Sequence, residues 1–479
     1  MDLPKHLSKR LPWEIKQYLH MGVTTYRGKV LVQASFLVAA VLTGIVAVYF
    51  YKGIDYLSEV NHELFVAHPI LMSIATPAIF LAAVAVVRFL APEAGGSGVP
   101  QVLYAAETSR IGKGVPENPK LVSVRTATIK VVSTALGFFG GASIGGEGPI
   151  VQIAASIFAH LGKRVRKLFP KIDYHSFLVA GAGAGIAAAF NTPLGGLAFA
   201  IEEVAVEGGF GKLRHLVLLA VIVTGLTAQA LVGNALYFGH PGMIPERQSV
   251  FILWAVVIGV VGGAAGGLFG RIASTQVFTR RKVSWWKRAL ICGVIMSLIN
   301  ITFKGETAGS GYAVTRHLMA TQEAKLPLMF PLAKLFSTAI STLSGMGGGI
   351  LSPSLTIGAW LGVSAGKVAL FSQLKVCAVF GMVAYFTGAF QVPITALIIV
   401  MEMTDEHALI LPMMVAALCA FIVGKLIMPE SLYHVLIHRN YEKHAPAVAA
   451  ELAAVAAALP LAEGDTLQPQ ATASKSPDV

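Results

Sequence analysis

Charge is what this sequence has least of. Only 13% of its 479 residues are Asp, Glu, Lys or Arg, 55% are hydrophobic, and the mean hydropathy is +0.69. Ordinary soluble domains carry about 25% charged residues, so this composition excludes a soluble globular protein. Cysteine is also scarce. Cys292, Cys377 and Cys419 all lie in apolar runs, where a thiol behaves as a small buried hydrophobe, so neither disulfides nor a thiolate metal site is expected. His160, His215 and His317 border polar loops without ligand spacing among them; no metal and no cofactor is expected. The opening Met1-Asp-Leu-Pro-Lys-His-Leu-Ser-Lys-Arg10 lacks a short apolar core followed by a small-residue cleavage site, so no cleaved signal peptide is expected.

What is present in quantity is long apolar runs. Val30–Tyr51, Ser176–Ile201, Leu216–Phe238, Val250–Gly270 and Val376–Met401 are each long enough to cross a hydrocarbon core about 30 Å thick. The reading is an all-α, multi-pass integral membrane protein embedded in a lipid bilayer. The net charge of +12 would suggest nucleic acid in a soluble chain. Here the basic residues collect between apolar runs, in Lys5–Lys29, Lys163–Lys171 and Arg280–Arg288, as cytoplasmic loops do under the positive-inside bias, and no nucleic-acid partner is expected. Residues 1–29 read as a basic cytoplasmic lead-in and 30–443 as the membrane domain. Residues 444–479 read as an Ala/Pro-rich tail, mostly disordered.

The second half of the chain repeats the first. Thr307-Ala-Gly-Ser-Gly-Tyr312 echoes Ala94-Gly-Gly-Ser-Gly-Val99. Gly345-Met-Gly-Gly-Gly-Ile-Leu-Ser-Pro353 lies over Gly141-Ala-Ser-Ile-Gly-Gly-Glu-Gly-Pro149 without a gap. Gly381–Glu402 lies over Gly181–Glu202, pairing Pro393 with Pro193 and Glu402 with Glu202. The halves divide near 30–215 and 216–443. Two halves with Gly/Pro-interrupted apolar segments at matching places fit a transporter of inverted repeats, whose broken, tilted helices meet at a central anion pathway. Such irregular backbone persists at membrane depth only inside protein or beside a water-filled cavity.

Glu147 stands among glycines in this apolar setting. A carboxylate at bilayer depth costs roughly 2.5–3.5 kcal/mol on insertion scales, which marks it as a functional candidate. Glycines followed by Pro149 suit a turn into a helix N-terminus, and that is an anion site.

Gly96-Ser-Gly-Val-Pro100, Gly145-Gly-Glu-Gly-Pro149 and Gly349-Ile-Leu-Ser-Pro353, in that order, resemble the three signature loops of the CLC family of chloride channels and proton-coupled chloride exchangers. Asn191-Thr-Pro-Leu-Gly-Gly196, Ile201-Glu-Glu203, Glu402-Met-Thr-Asp405 and Ser431-Leu-Tyr433 agree with further family segments. The resemblance implies a chloride site made by Ser97 Oγ, Tyr433 Oη and the N–H groups of Ile350 and Leu351. It implies an outer site made by the N–H groups of Gly146, Glu147 and Gly148. Glu147 corresponds to the gating glutamate, which takes an anion's place when ionised and leaves when protonated. Glu203 matches the position that passes protons inward in the exchangers; simple channels generally carry an apolar residue there. The implied activity is chloride/proton antiport, with a passive chloride channel of the same fold as the rival and no enzymatic reaction. A homodimer of the prokaryotic type, lacking a C-terminal regulatory domain, in a bacterial inner membrane with both termini cytoplasmic, is also implied. Two departures stand out. Gly146 replaces a common Lys or Arg, which should leave the outer mouth less positive, and Leu351 replaces a common Phe.

Other strings have plainer readings. Gly141-Ala-Ser143-Ile-Gly145 fits the G-x-S-x-G nucleophile pattern, but an intramembrane serine hydrolase using Ser143 would need a strand before the serine and a positioned base. Glu202 and Glu402 occupy matched positions at helix ends and read as structural. Gly181-Ala-Gly-Ala-Gly185 and Gly262-Gly-Ala-Ala-Gly-Gly267 read as small-residue packing faces.

Overall fold

The structure, a computed structural model, describes residues 13–109, 119–169, 173–204, 213–233, 237–239, 248–275, 278, 281–321, 326–371 and 373–440. All regular elements among them are helical. In order they are α1 (Trp13–Ala67), α2 (Pro69–Leu90), α3 (Val99–Thr108), α4 (Val124–Phe139), α5 (Glu147–Leu168), α6 (Tyr174–Phe190), α7 (Pro193–Phe199), α8 (Arg214–Val232) and α9 (Gln248–Ala273). There follow α10 (Trp285–Thr302), α11 (Tyr312–Thr321), α12 (Phe330–Ser344), α13 (Leu351–Val368), α14 (Leu374–Phe390), α15 (Pro393–Thr404), α16 (Ile410–Ile427) and α17 (Leu432–Asn440).

The segments Gly28–Ala67, Pro69–Leu90, Arg214–Val232, Val250–Ala273 and His407–His438 are long and apolar enough to cross a membrane. Two of the apolar runs, Ser176–Ile201 and Val376–Met401, are not single spans. Asn191 (φ 55°) and Gln391 (φ 59°) end α6 and α14 in the left-handed conformation, and Pro193 and Pro393 then start new helices. Proline fits there because a first-turn N–H has no intrahelical partner to lose. The run Leu216–Phe238 likewise ends as a helix at Val232. At the N-terminus, α1 passes through residues 29 and 30 as one 55-residue helix. The tail 444–479 lies outside the described residues.

In order, α1–α8 match α9–α16, with α17 left over. This sets α8 in the first half, so the join between halves falls between Val232 and Gln248 rather than near residue 215. The halves are related by two-fold exchanges. Gly145 and Gly349, counterparts in the repeat, trade backbone hydrogen bonds of 2.8 and 2.7 Å. Glu202 accepts from Ile394 N (3.1 Å) and Thr395 N (2.6 Å), while Glu402 accepts from Leu194 N (3.1 Å) and Gly195 N (2.7 Å). Each glutamate therefore caps the helix matching the one its counterpart caps, as a two-fold relation between the halves requires.

The centre is formed by α5, α6, α13 and α14. Every residue of α6 is buried. Gly181 and Gly185 admit the α5 backbone, since a Cβ on them would come within 2.6 Å of Ala155 Cα and 2.7 Å of Val151 Cα. Gly358 of α13 and Gly381 of α14 meet equally closely in the other half. Small residues thus let the helices that begin at the signature loops pack at the middle of the molecule.

Candidate functional site: three loops at two helix N-termini

The three glycine-rich loops converge on one point. Gly96 N–H donates to Met346 O (2.8 Å) and Gly348 N–H to Gly96 O (3.0 Å), so the first loop is tied to the third, which the Gly145–Gly349 exchange ties to the second. Gly96 (φ 69°) and Gly98 (φ 106°) hold conformations that a side chain would oppose. Side chains pin the assembly from outside. Lys130 Nζ donates to Gly96 O (2.8 Å), Thr134 Oγ1 donates to Gly347 O (3.1 Å), and Ser133 Oγ accepts from Gly347 N (2.9 Å).

This clamp sets the N-termini of α5 and α13 against each other. Gly349 lies so near that a Cβ there would come within 2.8 Å of Gly148 N. First-turn N–H groups lack intrahelical partners, and each helix start carries roughly half a positive charge. Gly146 and Ile350 occupy the cap positions, and Glu147 and Leu351 are the first helical residues.

The Glu147 carboxylate is fully buried. It reaches across the repeat to the start of α13, accepting from Ser352 N (3.3 Å) and, closely, from Ser352 Oγ; Tyr51 Oη lies 3.0 Å from Oε1. A carboxyl group thus rests on the amide end of a helix from the opposite half. Nearby, Ser97 Oγ and Tyr433 Oη are buried without a hydrogen-bond partner. They belong to one neighbourhood: Ser97 Oγ packs on Gly148, Tyr433 stacks on Phe390 with centroids 5.0 Å apart, and the Tyr433 hydroxyl is within interaction range of Ser97. A buried hydroxyl left unpaired costs about 1–3 kcal/mol, so two such donors aimed at one place suit an acceptor ligand.

The structure therefore brings Ser97, Tyr433, Ile350, Leu351, Gly146, Glu147 and Gly148 together. Glu203 stands apart, on the π-helical turn Ala200–Val204 that continues α7, buried and within electrostatic range of Tyr433. Ser143, the hydrolase candidate, is buried with its Oγ 2.8 Å from Thr338 Oγ1 and its N–H donating to Ser341 Oγ (2.9 Å). Its partner is another hydroxyl rather than a base, and a helix-free turn rather than a strand precedes it.

Sequence reasoning missed Tyr51, Lys130, Lys334 and His434. A signal for the lysines was available: Lys130-Val-Val-Ser-Thr134 and Lys334-Leu-Phe-Ser-Thr338 share a pattern at matched places in the repeat. Tyr51 is the last residue of an apolar run and reads as part of it, and His434 has no counterpart in the first half to draw notice.

Comparison with known proteins agrees with this geometry. The family model described as voltage gated chloride channel matches residues 78–425. An H(+)/Cl(-) exchange transporter ClcA from Cronobacter sakazakii is 31% identical over 386 residues, covering 74% of this chain and 77% of its own. The ClcA of Yersinia pseudotuberculosis serotype IB is 29% identical over 443 residues, covering 87% and 89%. Among solved structures, a slow cyanobacterial Cl-/H+ antiporter superposes with a TM-score of 0.70 at 23% identity, over 85% of this chain and 97% of that one. A eukaryotic CLC transporter gives 0.67 at 21% identity, over 85% and 74%. At those identities the superpositions show the fold, and the family match over most of the length completes the inference: this chain belongs to the voltage-gated chloride channel family, the CLC proteins.

Proposed function

We propose that the protein is a chloride/proton antiporter. The observation that carries this reading is the position of the Glu147 carboxylate on the amide and hydroxyl of Ser352 in the first turn of α13, across the repeat from its own helix. Chloride on the N–H groups of Ile350 and Leu351 and an ionised Glu147 on the adjoining Ser352 would compete for the same helix start. A proton arriving on Glu147 removes its claim, the side chain leaves, and chloride takes the amides; departure of chloride lets the ionised carboxylate return. Proton and anion then move in alternation without a separate coupling device, as linkage between two ligands of one site requires.

In this reading Ser97 Oγ, Tyr433 Oη and the N–H groups of Ile350 and Leu351 hold the central chloride, and those of Gly146, Glu147 and Gly148 hold an outer one. Hydroxyls and helix ends attract an anion without a full positive charge at the ion, so it can also leave. Glu203 would pass protons between Glu147 and the inner solution, the feature that favours exchange over a passive channel. The family supports a homodimer with a pathway in each subunit, embedded in lipid in a bacterial inner membrane with cytoplasmic termini. The test is purified protein in liposomes under an imposed chloride gradient. Exchange predicts that protons are driven uphill against their own gradient; chloride flux with no proton movement would make the protein a channel.

A further inference from the structure

Glu203 poses a physical problem for the exchanger reading. Its side chain is 4% exposed and its Oε1 has no hydrogen-bond partner, so solvent has little direct access to that carboxyl and proton exchange with it calls for an intermediary. Glu202, beside it in sequence and close enough to be felt electrostatically, is occupied in capping α15.

His434 meets the requirement. Its Nδ1 lies 3.9 Å from Glu203 Oε1, and its side chain is 46% exposed. One edge of the ring is thus turned to the buried carboxyl while the remainder is exposed at the protein surface, near the end of the apolar segment His407–His438. The position is fixed by the start of α17: Ser431 Oγ accepts from His434 N–H (3.3 Å) and lies 2.8 Å from Nδ1, an N-cap arrangement that also orients the imidazole. Tyr433, the preceding residue, carries the hydroxyl directed toward Ser97, so a single helix start serves both ion paths.

We propose that His434 is the proton-transfer residue between Glu203 and the solvent on that side of the membrane. This rests on the exchanger reading and extends it by one named step. The neutral imidazole takes a proton from water, becoming imidazolium with both ring nitrogens protonated. The Nδ1 proton passes to the ionised Glu203 Oε1 by a small side-chain approach that closes the 3.9 Å separation and gives up the contact with Ser431 Oγ, leaving a neutral ring and a neutral carboxyl. The reverse sequence releases a proton to solvent, and no other reactant is consumed. Imidazole suits the role because its protonation changes in the physiological range and its two nitrogens can face two environments. The charged and titratable groups near the ring are Glu203 and, behind it, Glu202, with the Tyr433 hydroxyl on the adjoining position and His438 one turn along α17.

The experiment compares wild type, His434→Gln and His434→Ala in liposomes, recording chloride and proton fluxes together, with and without free imidazole on the His434 side. The expected result is retained chloride flux, proton flux lowered on the order of tenfold to a hundredfold in both variants, and partial recovery of His434→Ala by imidazole. Retained chloride flux reports that the variants are folded. Proton flux at the wild-type rate in His434→Gln overturns the proposal while leaving exchange intact. Equal loss of both fluxes in both variants, without imidazole rescue, also overturns it, by making His434 a support for Tyr433. A wild-type protein that moves chloride without protons would instead refute the exchanger reading beneath it.

Discussion

Lys130 and Lys334 hold the same carbonyl in the two halves of the chain. Lys130 Nζ donates to Gly96 O and Lys334 Nζ to Gly309 O, each at 2.8 Å, and these glycines are repeat counterparts that share a left-handed backbone (φ 69° and 60°). Lys334 also donates to Thr307 O (2.8 Å) and Ala308 O (3.1 Å). Both lysines are fully buried. Met is close in volume but has no donor: Gly96 O would keep only its bond from Gly348 N, whereas each carbonyl left stranded at Lys334 costs about 1–3 kcal/mol. Both Lys→Met variants should melt below wild type in detergent, Lys334→Met by more because three carbonyls lose their donor. Only Lys130→Met loosens the loop carrying Ser97, so it alone should weaken chloride binding by calorimetry. The opposite ranking would show that the lysines do not act through these carbonyls.

How much of this was legible beforehand depends on chain separation. The signature loops, the repeat and Glu147 are local patterns, readable because glycine, proline and a lone carboxylate have strong backbone or solvation consequences where they stand. The breaks at Asn191 and Gln391 were hidden because hydropathy sums over a run and ignores a single left-handed residue. Contacts such as Tyr51 with Glu147, 96 positions apart within the first half, or Ser143 with Thr338, 195 apart across the two halves, depend on tertiary packing. The repeat could have supplied one of them: it pairs the two buried lysines, and whatever one does the other should do.

Glu147→Gln should separate the anion path from its proton control. Glutamine keeps the shape but carries no charge at any pH, so it competes weakly for the α13 amides. In wild type, chloride flux should rise as pH falls and Glu147 gives up its hold on Ser352. In the variant, flux should persist, flat across a pH series, with proton movement gone. A pH-dependent, coupled Glu147→Gln would sink the gating role.

Glu202 and Glu203 are sequence neighbours with opposite expected phenotypes. Glu202 accepts from Ile394 N, Thr395 N and Thr395 Oγ1 (2.7 Å), a carboxylate on a helix N-terminus that is worth up to about 2 kcal/mol when partly buried. Glu202→Ala should lower the melting temperature while coupling survives. Glu203→Gln should leave the melting temperature near wild type and abolish proton transport with chloride still passing. Differential scanning fluorimetry alongside flux assays distinguishes the pair; a shared phenotype would mean that neither assignment holds.

Ser97→Ala and Tyr433→Phe each remove a buried donor that no protein group satisfies. Against chloride, each should cost on the order of 1.5–3 kcal/mol, the range for a hydrogen bond to a charged group, or roughly ten- to a hundredfold in Kd. Stability should scarcely fall, because no intramolecular bond is lost. Calorimetric chloride affinity unchanged in both variants would move the central site elsewhere.

Gly146, where the family resemblance leads one to expect a basic residue, is explained by what lies over it. A Cβ there would come within 2.7 Å of Ile54 Cδ1 and 3.0 Å of the Tyr51 ring, and that ring holds the hydroxyl 3.0 Å from Glu147. Tyr51 thus takes the space a basic side chain would need, and a neutral donor stands at the carboxylate in place of a cation. Gly146→Lys alone should push the ring aside, break its bond to Glu147 and slow turnover. Tyr51→Ala alone should also loosen the carboxylate. Combined, the two changes remove the ring's share of the clash, leaving only the end of the flexible Ile54 side chain to shift, and the new ammonium adds a salt-sensitive attraction for anions at the mouth. The double variant should therefore exceed the additive expectation by about 0.5–3 kcal/mol, the range for residues in contact, with chloride turnover falling as ionic strength rises. Strict additivity, measured as chloride flux in the four-member cycle, would mean that the ring and the glycine do not share that space.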